Sequence, residues 1–277
     1  MARRIALLLC VLLSASVLRA QDNFFEKWEA RTSATQAKQP AWSPPLITIF
    51  NGLIQVARTD FTRQITPTRT TTWNYGTSKG VNLIPWANTE IDINLPPFLT
   101  HSAPTTIDGA GDMSFAVKYR IATGNAEHGN YAISMCLPIS IPTGSYKNGS
   151  TNASLSPTFE TGKGFGRFNL QNTIGATLPT GNTVKLGRPI VWNTSAQYHL
   201  GRYFWPAMES NATFFHGGPN DGKSQEFLMP ELLLGKIPVR REQHTRMGLS
   251  IGAGEQIATS KFHTYNHALI FTSRFLF

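Results

Sequence analysis

Between residues 112 and 121 apolar and polar side chains alternate. Met113, Phe115, Val117, Tyr119 and Ile121 fall on one face, with Asp112, Ser114, Ala116, Lys118 and Arg120 on the other. A period of two marks a β-strand, because successive side chains of a pleated backbone point to opposite sides. The pattern returns at Tyr131, Ile133, Met135, Leu137 and Ile139, set against Asn130, Ala132, Ser134 and Cys136. It returns with Phe168, Leu170, Ile174, Ala176 and Leu178 opposite Arg167, Asn169, Gln171, Thr173 and Thr177, although Asn172 interrupts the apolar face. Ile190, Trp192, Ala196 and Tyr198 oppose Asn193, Ser195, Gln197 and His199, and Met247, Leu249 and Ile251 oppose His244, Arg246, Ser250 and Gly252. A soluble sandwich alternates in the same way, so periodicity alone does not say which face meets lipid. Length decides: several runs reach about ten residues, enough for a tilted strand to cross a bilayer, against about 5–6 in globular sheets.

The last segment sharpens the reading. Phe277, Phe275, Phe271, Leu269 and Tyr265 share a face with Ser273 and His267, while Leu276, Arg274, Thr272, Ile270, Ala268 and Asn266 share the other. A closing strand of alternate aromatics that ends on phenylalanine resembles the insertion signal of bacterial outer-membrane barrels, and Phe271, Phe275 and Phe277 are assigned to it. Turn residues divide the chain into about twelve strands, near 66–75, 79–86, 89–96, 112–121, 131–141, 153–161, 165–178, 187–199, 202–215, 226–236, 244–253 and 264–277, with ten to fourteen also compatible. The expected fold is therefore all-β, an antiparallel transmembrane β-barrel. With the last strand descending to the periplasm, connections 97–111, 142–152, 179–186, 216–225 and 254–263 face out of the cell. They are mostly longer and richer in Gly, Pro and Asn than 162–164 and 200–201 on the opposite rim. Ile141-Pro-Thr-Gly144 and Leu178-Pro-Thr-Gly181 each open an external loop, as residues that end strand pairing should.

Ahead of the strands, Arg3 and Arg4, an apolar run from Ile5 to Leu13, and small residues up to Ala20 read as a secretory signal cleaved after Ala20. The run is too short for a membrane-spanning helix, which needs about 20 residues. The expected domains are residues 1–20 as signal peptide, 21–64 as a partly flexible periplasmic segment and 65–277 as barrel. Up to Pro45 that segment has no period. Leu46 to Arg58 is more apolar and suits a short helix or a stretch tucked into the barrel mouth.

Loss of Arg3, Arg4 and Arg19 with the signal leaves 22 of 25 basic residues against 16 acidic ones. The modest excess suits an anionic lipopolysaccharide surface, and the lack of a Lys/Arg run argues against nucleic acid. Only Cys136 survives cleavage, so no intrachain disulfide forms. The expected location is the bacterial outer membrane. Expected partners are outer-membrane lipid and lipopolysaccharide, the barrel-assembly machinery and a small-molecule solute.

Chemistry is sparse. No GxSxG motif is present, and a serine–histidine triad would need convergence that the spacing does not announce. His263 and His267 would stand about 13 Å apart on one strand, too far to share a metal ion. Gly109 with Gly111, and Gly162 with Gly164 and Gly166, adjoin strands rather than opening helices, so they read as turns and not phosphate cradles. Neither catalysis, a cofactor nor a metal is expected. Lys118, Arg120, Arg167, Arg246 and Arg274 lie on polar faces and would line the lumen, favouring anionic or polarisable solutes unless carboxylates such as Asp112 and Glu209 neutralise them.

The segment Asp108-Gly-Ala-Gly-Asp-Met-Ser-Phe-Ala-Val-Lys-Tyr-Arg120, the Pro-Thr-Gly loop starts and the aromatic closing strand resemble the outer-membrane proteins of the meta-pathway of phenol degradation family, described as transporter-like, from about Asn82 to Phe277. The resemblance implies a barrel that passes aromatic or hydrophobic compounds, and carries over no substrate residue. The expected function is a passive pore or uptake channel for small, aromatic or hydrophobic solutes. The alternatives are a non-conducting structural or adhesive barrel and a secreted soluble β-sandwich binding protein.

Overall fold

The computed structural model describes residues 24–239 and 247–277. After a helix α1 (24–37), twelve staves run around a closed antiparallel barrel. The first stave is β1 (Val56–Ile65). The second is β2 (Thr71–Tyr75) in line with β3 (Gly80–Trp86), the third β4 (Thr89–Asn94) with β5 (Phe98–His101), and the fourth β6 (Gly109–Ala110) with β7 (Met113–Gly124). β8 (Tyr131–Ile141) is the fifth. β9 (Ser154–Leu155) and β10 (Thr158–Phe165) form the sixth, and β11 (Phe168–Ala176) and β12 (Leu178–Pro179) the seventh. Then β13 (Ile190–Tyr198), β14 (Phe204–Phe214), β15 (Ser224–Pro238), β16 (Gly248–Ala258) and β17 (His267–Leu276) complete the ring. β17 pairs back onto β1 from Val56↔Leu276 to Ile65↔His267. Closure leaves no open edge, the condition for a sheet to survive in hydrocarbon.

Strand composition explains which face points where. The expected alternation holds on β7, β8, β11, β13 and β17: Ala132, Ser134, Asn169, Gln171, Ser195, Gln197 and Arg274 are buried inside. Their apolar neighbours Tyr119, Met135, Ile174, Trp192 and Phe271 are between 44% and 54% exposed on the outer wall. Large apolar side chains bared around a whole circumference would drive aggregation in water and are at home only in lipid. The barrel is therefore a bacterial outer-membrane barrel.

Three expectations are corrected. Residues 56–64, assigned to the periplasmic segment, form a full stave with Ile65, so the barrel begins at Val56 rather than residue 65. The expected strands 66–75 and 79–86 are one stave interrupted by a bulge, because β1 pairs with β2 through Phe61–Ile65 and with β3 through Val56–Arg58. The bulge is held by Gly76 N–H to the Asp60 carbonyl at 2.8 Å and Lys79 N–H to the Gly76 carbonyl at 2.9 Å; Gly76, at φ 100°, takes the left-handed corner. The two changes cancel in the total of twelve. Finally, Gly162 and Gly164 lie inside β10, and the turn comes later, at Gly166 and Arg167.

The rim that holds Val56 and Leu276 also carries the tight connections 87–88 and 166–167, while the opposite rim carries 142–153, 180–189 and 215–223. Short turns face the periplasm in this architecture. The short helix α2 (Thr183–Leu186) lies within one outer loop. Asp112, expected to balance luminal charge, instead accepts from Gly144 N–H at 2.9 Å and Ser150 N–H at 2.6 Å and ties down another.

Candidate functional site: the plugged lumen

From α1 at the periplasmic rim the chain does not run straight into β1. Residues 38–55 enter the lumen and cross it, and their main chain meets the inward polar side chains. On one wall Glu209 of β14, fully buried, accepts from Leu46 N–H at 2.8 Å and Ile47 N–H at 2.9 Å with one oxygen. It accepts from Thr48 N–H at 2.6 Å and the Thr48 hydroxyl at 2.5 Å with the other. Glu231 of β15 shares the Leu46 amide at 3.2 Å. Successive peptide N–H groups converging on a carboxylate form an anion nest, here with the anion on the wall and the nest on the plug.

The bases do the reverse. Arg274 of β17 donates to the carbonyl of Pro44 and, at 2.6 Å, to that of Pro45, with its Nε on Thr272 Oγ1 at 3.2 Å. Arg58 donates to the Leu46 carbonyl at 2.7 Å while paired to Asp60 at 2.6 Å. Lys118 of β7 donates to the Phe50 carbonyl at 2.6 Å, its Nζ lying 3.6 Å from both Glu90 and Glu160. Glu90 accepts from Ile54 N–H, and Ser134 Oγ donates to the Asn51 carbonyl at 2.7 Å. Nearer the rim, Arg120 donates to the Thr35 carbonyl at 2.9 Å and to Gln39 at 3.0 Å. Gln39 itself clasps the Leu53 peptide at 2.8 and 2.9 Å. Trp28 Nε1 closes the mouth side by donating to Gln55 at 2.8 Å. A peptide crossing a lumen without a sheet to join must satisfy its amides and carbonyls somewhere, and charged side chains supply the strongest partners.

Apolar contacts reinforce the latch. Leu46 packs with Trp205, Met229, Leu233 and Ile270, an apolar patch on a mostly polar inner wall. Phe50, Ile54 and Val56 form a second cluster with Trp42 and Leu276 packed against it. Gly162 of β10 is where Trp42 approaches: a Cβ there would lie 2.5 Å from the indole ring, so this glycine serves close packing and not a turn.

Of the residues expected to line an open lumen, Lys118, Arg120 and Arg274 do point inward, buried and bound to the plug. Arg167 does not: it is exposed in the turn between β10 and β11, beyond the end of the inward row. Arg246 lies outside the described residues. Phe271 and Phe275 face outward on β17. Glu209, Glu231 and Glu90, which carry the acceptor half of the latch, were not singled out for it, since no side-chain pattern marks a partner that is peptide backbone.

The plug leaves cavities on both sides. One of about 340 Å³ opens at the periplasmic rim between residues 36–44 and the wall of β14 to β17. Another of about 210 Å³ lies on the outer side, bounded by the plug, β3, β4, β7 and β8, and a third of the same volume continues past Ile49 and Pro138 toward β10, β11 and β13. The rim cavity and the first outer cavity have four lining residues in common: Pro44, Phe50, Ile54 and Arg274.

A family described as "Putative MetA-pathway of phenol degradation" matches residues 48–220, more than half of the sequence, from within the plug to the loop after β14. The chain belongs to this family. In fold it is similar to an outer membrane channel from Pseudomonas putida F1, at 12% identity and TM-score 0.55 over 85% of this chain and 100% of that one. It is also similar to the NanC porin, at 10% identity and TM-score 0.50 over 80% of this chain and 98% of that one. No curated protein matches it in sequence.

Proposed function

We propose that the protein is an outer-membrane channel for small aromatic or otherwise apolar solutes, gated by its own residues 38–55. The observation that carries this reading is the partition: cavities on opposite sides of the plug are divided by Pro44, Phe50, Ile54 and Arg274 alone among their shared lining residues. Displacement of the plug at Phe50 and Ile54 is the movement that would join them. Channel-type relatives in fold and the family's link to phenol degradation support the choice of function and of solute. The plug is held by hydrogen bonds to charged groups, each with a net value of about 1.5–3 kcal/mol, which a thermal or ligand-driven rearrangement can exchange for water.

The test is single-channel recording of refolded protein in planar bilayers, with wild type beside Phe50→Ala. Phe50 bonds the wall through its carbonyl, so truncating its ring thins the partition and loosens its apolar cluster while leaving the Lys118 bond. Wild type should be closed most of the time with brief steps, and Phe50→Ala should open more often. Both proteins silent, with the barrel correctly folded, would favour the alternative reading of a filled structural or adhesive barrel, for which the extent of the plug is the supporting observation.

A further inference from the structure

The periplasmic-rim cavity has a chemistry of its own. Four bases, His199, Arg202, Lys236 and Arg274, are among the described residues that line it, and no carboxylate is among those residues. Three aromatic residues, Trp42, Phe50 and Trp205, complete its walls with Leu53, Ile54 and Leu276. His199 lies flat on Trp205, ring centroids 4.1 Å apart and 7° from parallel, so the imidazole and indole present a joined planar surface.

Two buried groups point to a ligand. Arg274 is 1% exposed, yet its guanidinium ends on two carbonyls and a hydroxyl rather than on a carboxylate, so a buried positive charge is solvated but not neutralised in its first contacts. Ser43 is 4% exposed, lines the same cavity, and its hydroxyl has no hydrogen-bond partner among the described residues. An unused donor beside several cations and flat apolar surface suits an occupant with a negative acceptor at one end and a ring at the other. The volume of about 340 Å³ exceeds the roughly 150 Å³ that holds a benzene, leaving room for a substituted single ring.

We propose that this cavity is a binding site for small aromatic carboxylates. The ring packs on the Trp42 and Trp205 side and the carboxylate is held by Arg202, His199 and the Ser43 hydroxyl. Because residues 36–44 form one wall and β14 to β17 the other, occupancy also favours the plugged arrangement of the lumen. The proposal names a ligand class for one end of the route proposed above, but binding itself does not require that the plug move.

The experiment is isothermal titration calorimetry of the whole protein in detergent micelles at pH 7, with protein-free micelles subtracted. The probes are benzoate, phenol, benzylammonium and acetate, which separate ring from charge. Saturable benzoate binding is expected, with phenol and acetate each about tenfold weaker or more, the equivalent of one hydrogen bond to a charged group, and no heat from benzylammonium. Arg202 is exposed and Arg202→Gln should fold; it should weaken benzoate about tenfold, and His199→Gln should do so independently. Equal binding of phenol or benzylammonium, heats that never saturate, or unchanged affinity in both variants overturns the site. If benzoate fails while Phe50→Ala opens the pore, the channel reading stands and the ligand class falls. If benzoate binds a silent barrel, the reverse holds.

Discussion

Glu209 is the sharpest handle on the plug. Replacing it with Gln keeps the shape and one acceptor oxygen, but turns the other into an NH₂ facing the Thr48 amide and hydroxyl, which now donate to it at 2.6 and 2.5 Å. The Thr48 amide loses a bond of about 1.5–3 kcal/mol and faces a donor, its hydroxyl can turn to accept, and the bonds from Leu46 and Ile47, now to a neutral oxygen, weaken by about 0.75–1.5 kcal/mol each. Even the lower sum, about 3 kcal/mol, shifts a docked-to-undocked equilibrium by about two orders of magnitude, since each 1.4 kcal/mol is a factor of ten. The ladder of β14 with β13 and β15 is main-chain pairing and does not depend on this side chain. Single-channel recording should therefore show open probability rising about a hundredfold, up to saturation, while heat-modifiable migration in detergent gels stays as in wild type. An unchanged open probability in a correctly folded Glu209→Gln barrel would refute the latch.

Further outcomes follow from the same geometry. Cys136 faces the lumen at 4% exposure, so a charged thiol reagent should leave it unmodified in wild type and label it in Glu209→Gln, as read by mass spectrometry. Lys118→Met strands Glu90 and Glu160 and should lower unfolding stability in urea by about 3–5 kcal/mol, whereas Glu160→Gln, whose oxygens make no hydrogen bond, should cost little. Gly162→Val should push Trp42 from its seat and raise open probability without weakening the barrel. Deleting Phe277 should lower outer-membrane insertion, scored by fractionation, while leaving export intact.

Most of the wall was legible because a lipid-facing strand must present an apolar side chain at every second position, as Tyr119, Met135, Ile174 and Trp192 do. β1 hides from that rule. Its outward row reads Ala57, Thr59, Phe61, Arg63 and Ile65, with large apolar groups at only two places, and its inward row is mostly polar. The bulge at 76–79 imitates a hairpin turn because Gly76 and Ser78 both adopt positive φ, the signature a turn would carry. The stretch from Leu46 to Arg58 was recognisable as apolar and tuckable, but not as a plug that ends at Gln55 where β1 begins. Its partners see peptide groups, and a peptide group is the same in every sequence. Lys118, Arg120 and Arg274 were placed inward correctly on pattern alone; what they bind required the path of residues 38–55.

That latch of wall charge on plug main chain sets which changes evolution can make there. Alanine at Leu46, Ile47 or Thr48 keeps all three amides on Glu209, at the cost of the apolar packing of Leu46 and Ile47 or of the Thr48 hydroxyl. Proline at any of the three removes a donor from Glu209, while the natural prolines at 44 and 45 present only the carbonyls that Arg274 uses. The latch is set by the path of the main chain more than by its side chains, and proline is the substitution that finds its joints.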